Sequence, residues 1–249
     1  MIEKLKVEKE EGDIVTQPIY STGEQMKIEV VSRIADMVSE YQHITFVDTK
    51  KFGKCLLIDG VVQTSEADHA VYDTEMLKKM KEADRKMMIL GGGDGYIAEM
   101  AVNINHDIEV EVIDLDEIVV EGCKKYLDQK VFDNDRVHLH IGDALQYMRE
   151  STVKYDGIAC DLTDAPVGAK EEEEFERFFD EVISLASKCI KDGGWISVQS
   201  GASQVTDHFI DSVKIVENLL KKYFNIVDRN DVLIPSYGET CAFLFGQKK

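Results

Sequence analysis

The chain has 249 residues, 44% hydrophobic and 31% charged, which suits one large domain or a domain with a small appendage and excludes wholesale disorder. Lysine and arginine number 29 against 48 aspartates and glutamates, a formal net charge of −19. A field of that sign repels phosphate backbones and anionic lipid and attracts cations, so nucleic acid and membrane surfaces are poor partners, although solubility alone would also explain the charge.

The N-terminus, Met1-Ile2-Glu3-Lys4-Leu5-Lys6, runs into a charged stretch without the apolar segment of a secretory signal, and no run is long enough for a membrane helix. Residues 27–65 then read as strands: 27–31, 43–47 and 55–58, with Asp59-Gly60 as a hairpin turn into 61–64. An N-terminal antiparallel β domain over residues 1–66 is the expectation. From residue 67 to 249 the rhythm changes. Short apolar strands at 86–90, 109–113, 137–141, 157–160 and 195–198 alternate with helices near 96–105, 116–127, 144–150, 174–190 and 206–222. Late strands follow around Val232 and Phe243. This βαβα order predicts an α/β fold with a Rossmann-like, parallel, doubly wound sheet. The five cysteines (Cys55, Cys123, Cys160, Cys189 and Cys241) show no C-x-x-C spacing and sit mostly among apolar neighbours. They read as reduced thiols of a cytoplasmic protein, neither a disulfide frame nor a zinc site.

Ile89-Leu90 leads into Gly91-Gly92-Gly93-Asp94-Gly95 at a strand-to-helix junction. Glycines there let backbone approach a ligand, with a helix N-terminus aimed at it, although a bare tight turn has the same composition. Asp114 ends the next strand, 23 residues after Gly91, where a carboxylate can take both hydroxyls of a ribose. Tyr96 stands where the dinucleotide fingerprint requires glycine, whereas Gly91, Gly93 and Gly95 keep the spacing of adenosyl-sulfonium binders. After the third strand, Gly142-Asp143-Ala144 offers an acceptor for the adenine amino group, or simply a helix N-cap. Charge narrows the ligand. Asp94 and Asp161 would repel the carboxylate of S-adenosylmethionine and attract the ammonium of its decarboxylated form. Asp161-Leu162-Thr163-Asp164 adds a pair of acids suited to a cationic amine. His138 and His140 lack a third partner, so no metal is expected.

From about Glu40 onward the chain resembles the polyamine aminopropyltransferases, the spermidine and spermine synthases. Tyr41-Gln42, Phe52-Gly53, Asp59-Gly60, Asp68, Tyr72, Gly91–Gly95, Gly142-Asp143 and Asp161 stand in family order. The resemblance implies a small β domain before a methyltransferase-like Rossmann domain and a homodimer acting on small polyamines. It also implies decarboxylated S-adenosylmethionine as co-substrate and no other cofactor. Gln42, Asp94, Asp114, Asp143 and Ala144 would hold the donor beside the glycine loop. Asp161 would be the catalytic carboxylate. Asp68, Tyr72 and Tyr237 would line the amine channel, with Asp164 and Glu239 on distal ammonium groups. Three stretches, 121–126, 161–163 and 235–239, look closer to spermine synthase, so spermidine is the expected acceptor and putrescine the next. The chain departs from the family pattern at Asp68-His69 and at Tyr72-Asp73-Thr74, and Asp164 is an acid of the spermidine-synthase type. Two other readings use the same residues: an S-adenosylmethionine-dependent amine methyltransferase, and a polyamine-binding subunit without activity.

Overall fold

The alternation of the first third becomes a five-stranded antiparallel sheet. A computed structural model describes residues 13–162, 172–206 and 209–248. Its first strands are β1 (Ile14–Ile19), β2 (Glu24–Val38), β3 (His43–Thr49), β4 (Gly53–Ile58) and β5 (Val61–Ser65), each paired with its sequence neighbour. The β4–β5 hairpin turns at Asp59 and Gly60 with φ of 49° and 83°, the double positive φ that an Asp-Gly turn provides. Successive residues of β3 face opposite ways. Val47 packs with Val15, Ile28, Val30 and Leu57 on one side. Ile44 and Phe46 face the other, against Tyr96, Val119, Cys123 and Leu127. The small sheet is thereby fastened to the larger domain by its own pleat.

That domain carries β6 (Lys86–Gly91), β7 (Glu109–Asp114), β8 (Val137–Ile141), β9 (Tyr155–Asp161), β10 (Ile190–Ala202), β11 (Ile226–Ile234) and β12 (Glu239–Gln247). The order across the sheet is β11-β12-β10-β9-β6-β7-β8. Its helices are α1 (His69–Met76), α2 (Tyr96–Ile104), α3 (Glu117–Tyr126), α4 (Ala144–Glu150), α5 (Glu172–Cys189) and α6 (Ser212–Tyr223). One face of the sheet buries Ile158, Val198 and Leu244 against α5 and α6. The other buries Ile89, Val112 and Phe243 against α1 and α2. All five cysteines are free and buried. Among the described residues no helix is long and apolar enough to cross a membrane.

Three expectations change. The sheet is mixed rather than wholly parallel, because β12 runs antiparallel to both β10 and β11. The link from Ile234 to Glu239 has hairpin length, whereas a parallel connection needs a long crossover. The last helix starts at Ser212, not near 206, where the Asp211 carboxylate accepts from Lys214 N–H at 3.1 Å. Helix α1 was not anticipated; Tyr72, Asp73 and Met76 are its buried residues, too irregular a set for an apolar stripe.

The strand order reverses between β6 and β9, the switch point at which open α/β sheets form a crevice beyond their carboxyl ends. There Gly91 of β6 pairs directly with Asp161 of β9. On its other side β9 is held tightly to β10, where a Cβ on Gly157 would lie 2.0 Å from Trp195 Cε2. The indole is fixed in turn, its Nε1–H donating to Asp84 at 2.8 Å. Gly157→Ala is expected to cost about 1–3 kcal/mol by overpacking, read as a lower urea midpoint at unchanged slope. An unshifted midpoint would show that the indole yields freely.

Candidate active site

A cavity of about 540 Å³ opens at the carboxyl ends of β6, β7 and β9, closed from above by residues of the small sheet. The glycine loop forms its floor. Gly91 has φ of 80°, and a Cβ there would stand 2.5 Å from the Asp161 carbonyl oxygen. A Cβ on Gly93 would stand 2.6 Å from Asp114 Oδ2. Glycine is therefore required for the loop to lie between the two acids. Gly95 closes the loop as the N-cap of α2.

Asp114 accepts from the N–H groups of Gly93 and Asp116, yet burial pushes its carboxyl up to about 6. Asp94 accepts from Tyr96 N–H at 3.1 Å and from Thr64 of β5, and burial raises it too. Gln42 reaches the cavity from the small sheet, its Nε2 donating to Asp116 at 2.9 Å. Asp116, which the sequence reading passed over, also caps α3 and accepts from Ser39 Oγ. Its position two residues past Asp114, just before a helix, was the available signal. Asp143 serves as the N-cap of α4, accepting from Leu145 and Gln146 N–H, and with Ala144 also lines the cavity. The cap and the cavity-facing acid are one residue.

Asp161 accepts a hydrogen bond from the Tyr72 hydroxyl. Desolvation is the main cause that pushes its carboxyl up to about 7; Tyr72 opposes, and Asp94, Asp73 and Asp114 add to the rise. Tyr72 stands edge-on to Phe243, with ring centroids 5.2 Å apart. Tyr237 lines the same wall and donates to the Gln63 carbonyl at 2.5 Å.

Two expected amine-binding acids sit differently. Asp68 lines the cavity, but its oxygens accept from Ser65 Oγ, Ser236 N–H and Ser236 Oγ at 2.6, 2.6 and 2.9 Å. It joins the end of β5 to the β11–β12 turn that carries Tyr237, and so shapes the wall instead of presenting an open carboxylate. Glu239 does not line the cavity: it accepts from Ser21 N–H at 3.1 Å, beside the β1–β2 turn. The expectation that it meets a distal ammonium is corrected on that ground. Asp164 lies outside the described residues. His69 and Asp73, which stood out in the sequence only as departures from the family pattern, both line the cavity.

Residues 74–249 match the family described as spermine/spermidine synthase domain, and residues 16–66 the spermidine synthase tetramerisation domain. The polyamine aminopropyltransferase of Thermoanaerobacter sp. (strain X514) is 30% identical over 216 residues, 84% of this chain and 75% of that protein. Its counterpart from Saccharolobus solfataricus is 28% identical over 220 residues, 86% and 71% of the two chains. Among solved structures, a spermidine synthase in complex with the transition-state analogue AdoDATO superposes with a TM-score of 0.84 at 20% identity, covering 99% of this chain and 84% of that one. Spermidine synthase from Thermotoga maritima gives 0.80 at 19% identity, covering 99% and 82%. Both share the fold.

The electrostatics of the cavity have a measurable consequence. Asp73 and Asp161 are pushed up to about 7 and Asp114 to about 6, from an ordinary value of 3.8. Between those limits the folded chain holds more protons than the unfolded one, so stability falls as pH rises. His69, raised above 6.5, acts in the same direction. The melting temperature of the ligand-free protein should therefore decline from pH 5 to pH 7.5. Asp161→Asn should flatten that slope and melt at least about 2 °C higher at pH 7.5. A slope unchanged by the substitution would contradict the burial argument.

Proposed function

The chain belongs to the spermine/spermidine synthase family, and from that premise we propose that it transfers an aminopropyl group from decarboxylated S-adenosylmethionine to a primary amine of a polyamine, releasing 5′-methylthioadenosine. One observation carries this reading. Seven aspartates (Asp68, Asp73, Asp94, Asp114, Asp116, Asp143 and Asp161) line the cavity with a single histidine and, among the described residues, neither lysine nor arginine. A donor bearing a sulfonium and an ammonium, facing a cationic amine, meets that charge. Intact S-adenosylmethionine would bring a carboxylate into it, which speaks against the methyltransferase reading. The acid at Asp161, held by Tyr72 beside the glycine loop, speaks against a merely binding subunit.

The glycine loop, Asp114 and Asp143 are assigned to the nucleoside, Gln42 and Ala144 to its rim, and Asp94 to the tail. The amine nitrogen attacks the methylene next to the sulfonium. A C–N bond forms, the C–S bond breaks, and its electron pair returns to sulfur as a neutral thioether. A sulfonium is already a good leaving group, so most of the protein's task is alignment and preparation of the nucleophile. A free alkylamine has a pKa of about 10.4 by analogy with lysine, so it arrives protonated. The neighbouring sulfonium lowers it, while burial raises Asp161 to about 7, and the two values converge. Asp161 takes the proton, with Tyr72 fixing the carboxylate by donating to it.

The preference for spermidine as acceptor draws on three stretches, of which Asp161, Leu162 and Tyr237 line the cavity whereas residues 121–126 and Glu239 do not. Glu121 pairs with Lys124 on an exposed face of α3, Tyr126 packs on Phe46, and Glu239 faces Ser21. We therefore assign the acceptor as a class, polyamines with a free primary amine, with spermidine assayed first and putrescine beside it. The match of residues 16–66 to a tetramerisation domain supports a homo-oligomer built through the small sheet, a homodimer being its smallest form. Five free thiols suit a cytoplasmic setting.

The decisive experiment is incubation with decarboxylated S-adenosylmethionine and an amine panel, with products identified by mass. Asp161→Asn should lower kcat by about 10²–10⁴ while 5′-methylthioadenosine still binds, and the defect should shrink towards pH 10 as free amine accumulates. More than a tenth of the parent rate surviving at pH 7.5 would remove Asp161 as the base. The decarboxylated donor should also bind far more tightly than S-adenosylmethionine, and Asp94→Asn should narrow that gap. Equal affinity for both ligands in the parent protein would defeat the charge argument.

A further inference from the structure

His69 and Asp73 line the cavity but have no part in the mechanism above. They lie one turn apart on α1, and the His69 Nδ1–H donates to Asp73 Oδ2 at 2.8 Å. The imidazole also stacks on Tyr96, centroids 3.8 Å apart and planes 18° from parallel, at the first residue of α2 beyond the glycine loop. His69 is thus pinned on its face by one helix and at its edge by its own, and it fixes one oxygen of Asp73. The other oxygen has no hydrogen bond within the described residues. Asp73 is only 2% exposed, and a carboxylate so placed is costly unless a cation reaches it. The other charged groups acting on it are all acids: Asp94 of the loop and Glu99 of α2, with Asp161 at the end of β9 coupled to it as well.

Consecutive helical residues point about 100° apart, and α1 uses this to serve two sides of the cavity. Tyr72 turns to Asp161, Phe243 and Tyr237, the wall given to the amine. Asp73 turns to His69, itself stacked on Tyr96, and to the field of Asp94, the side given to the donor. We propose that Asp73, positioned by His69, is a specificity-determining residue that takes the terminal ammonium of the donor's aminopropyl tail jointly with Asp94. This rests on the aminopropyl-transfer reading and deepens it. A tail ending in ammonium completes the open oxygen of Asp73. A tail carrying a carboxylate, or lacking the ammonium, does not.

The test is calorimetric titration with decarboxylated S-adenosylmethionine and with 5′-methylthioadenosine, which shares the nucleoside and thioether but has no ammonium. The parent, Asp73→Asn, His69→Gln and His69→Leu are compared. Asp73→Asn should weaken the donor at least about tenfold, as loss of a charge-assisted bond does, while 5′-methylthioadenosine stays within about twofold. His69→Gln keeps an N–H for Asp73 and should stay near the parent. His69→Leu should show a large part of the Asp73→Asn loss, again for the donor alone. Unchanged donor affinity in Asp73→Asn overturns the proposal, as does equal weakening of both ligands, or an effect confined to the acceptor KM. Parent-like donor binding by His69→Leu removes His69 from it. A parent that binds 5′-methylthioadenosine but neither binds nor turns over the donor overturns the aminopropyl-transfer reading itself, an outcome separate from all of these.

Discussion

Uncompensated negative charge at one sheet edge is the constraint around which the rest of this structure is arranged. A carboxylate withdrawn from water must find donors or lose its proton. Here almost every donor is neutral. Asp114 leans on the main chain of the glycine loop, Asp143 on the first turn of α4, and Asp94 on Tyr96 N–H and Thr64. Asp116 draws on Ser39, Gln42 and Ile118, and Asp68 on two serines. Such donors hold each acid in position without cancelling its charge. The field remains available for cationic ligands, while burial raises the carboxyls of Asp94, Asp114 and Asp161.

The small sheet contributes more than an attachment. Its Gln42, Gln63 and Thr64 reach the cavity, while Ile44, Phe46 and Leu56 seat it on α2 and α3. The Asp68 carboxylate links β5 to the β11–β12 turn, and the Tyr237 hydroxyl returns to Gln63. Segments far apart in the chain are thus tied together on one side of the cavity. A site assembled from both domains has its shape set by the seam between them.

Much of this was legible in the residues. Strands bounded by glycine, the Asp59-Gly60 turn, the 91–95 loop and Asp114 and Asp143 at strand ends are local signals, each dictated by backbone geometry or helix capping. What was not legible depends on distant partners. The direction of β12 is decided by the short link from Ile234 to Glu239, whose Pro235 and Gly238 mark a turn but not which strands it pairs. Helix α1 hides because its buried residues include an aspartate. Glu239 resembled a ligand-facing acid until the packing of the β1–β2 turn placed Ser21 against it. His69 and Asp73 stood out only as misfits to a pattern, since a pair on one helix gains meaning from Tyr96 on another.

The pairing of Gly91 with Asp161 separates two kinds of precision. Neighbouring strands keep a spacing of about 4.8 Å whatever side chains they carry, because main-chain hydrogen bonds set it. The interval between the glycine loop and the acid beside it is therefore built into the backbone, insulated from substitution around it. The opposite wall is made of side chains and turns, Tyr237 and the β11–β12 link among them. On the proposed assignment, sequence drift there reshapes which amine fits while the main-chain spacing stays constant. A scaffold divided in this way can diversify its acceptors by small steps, with no intermediate that has lost the chemistry.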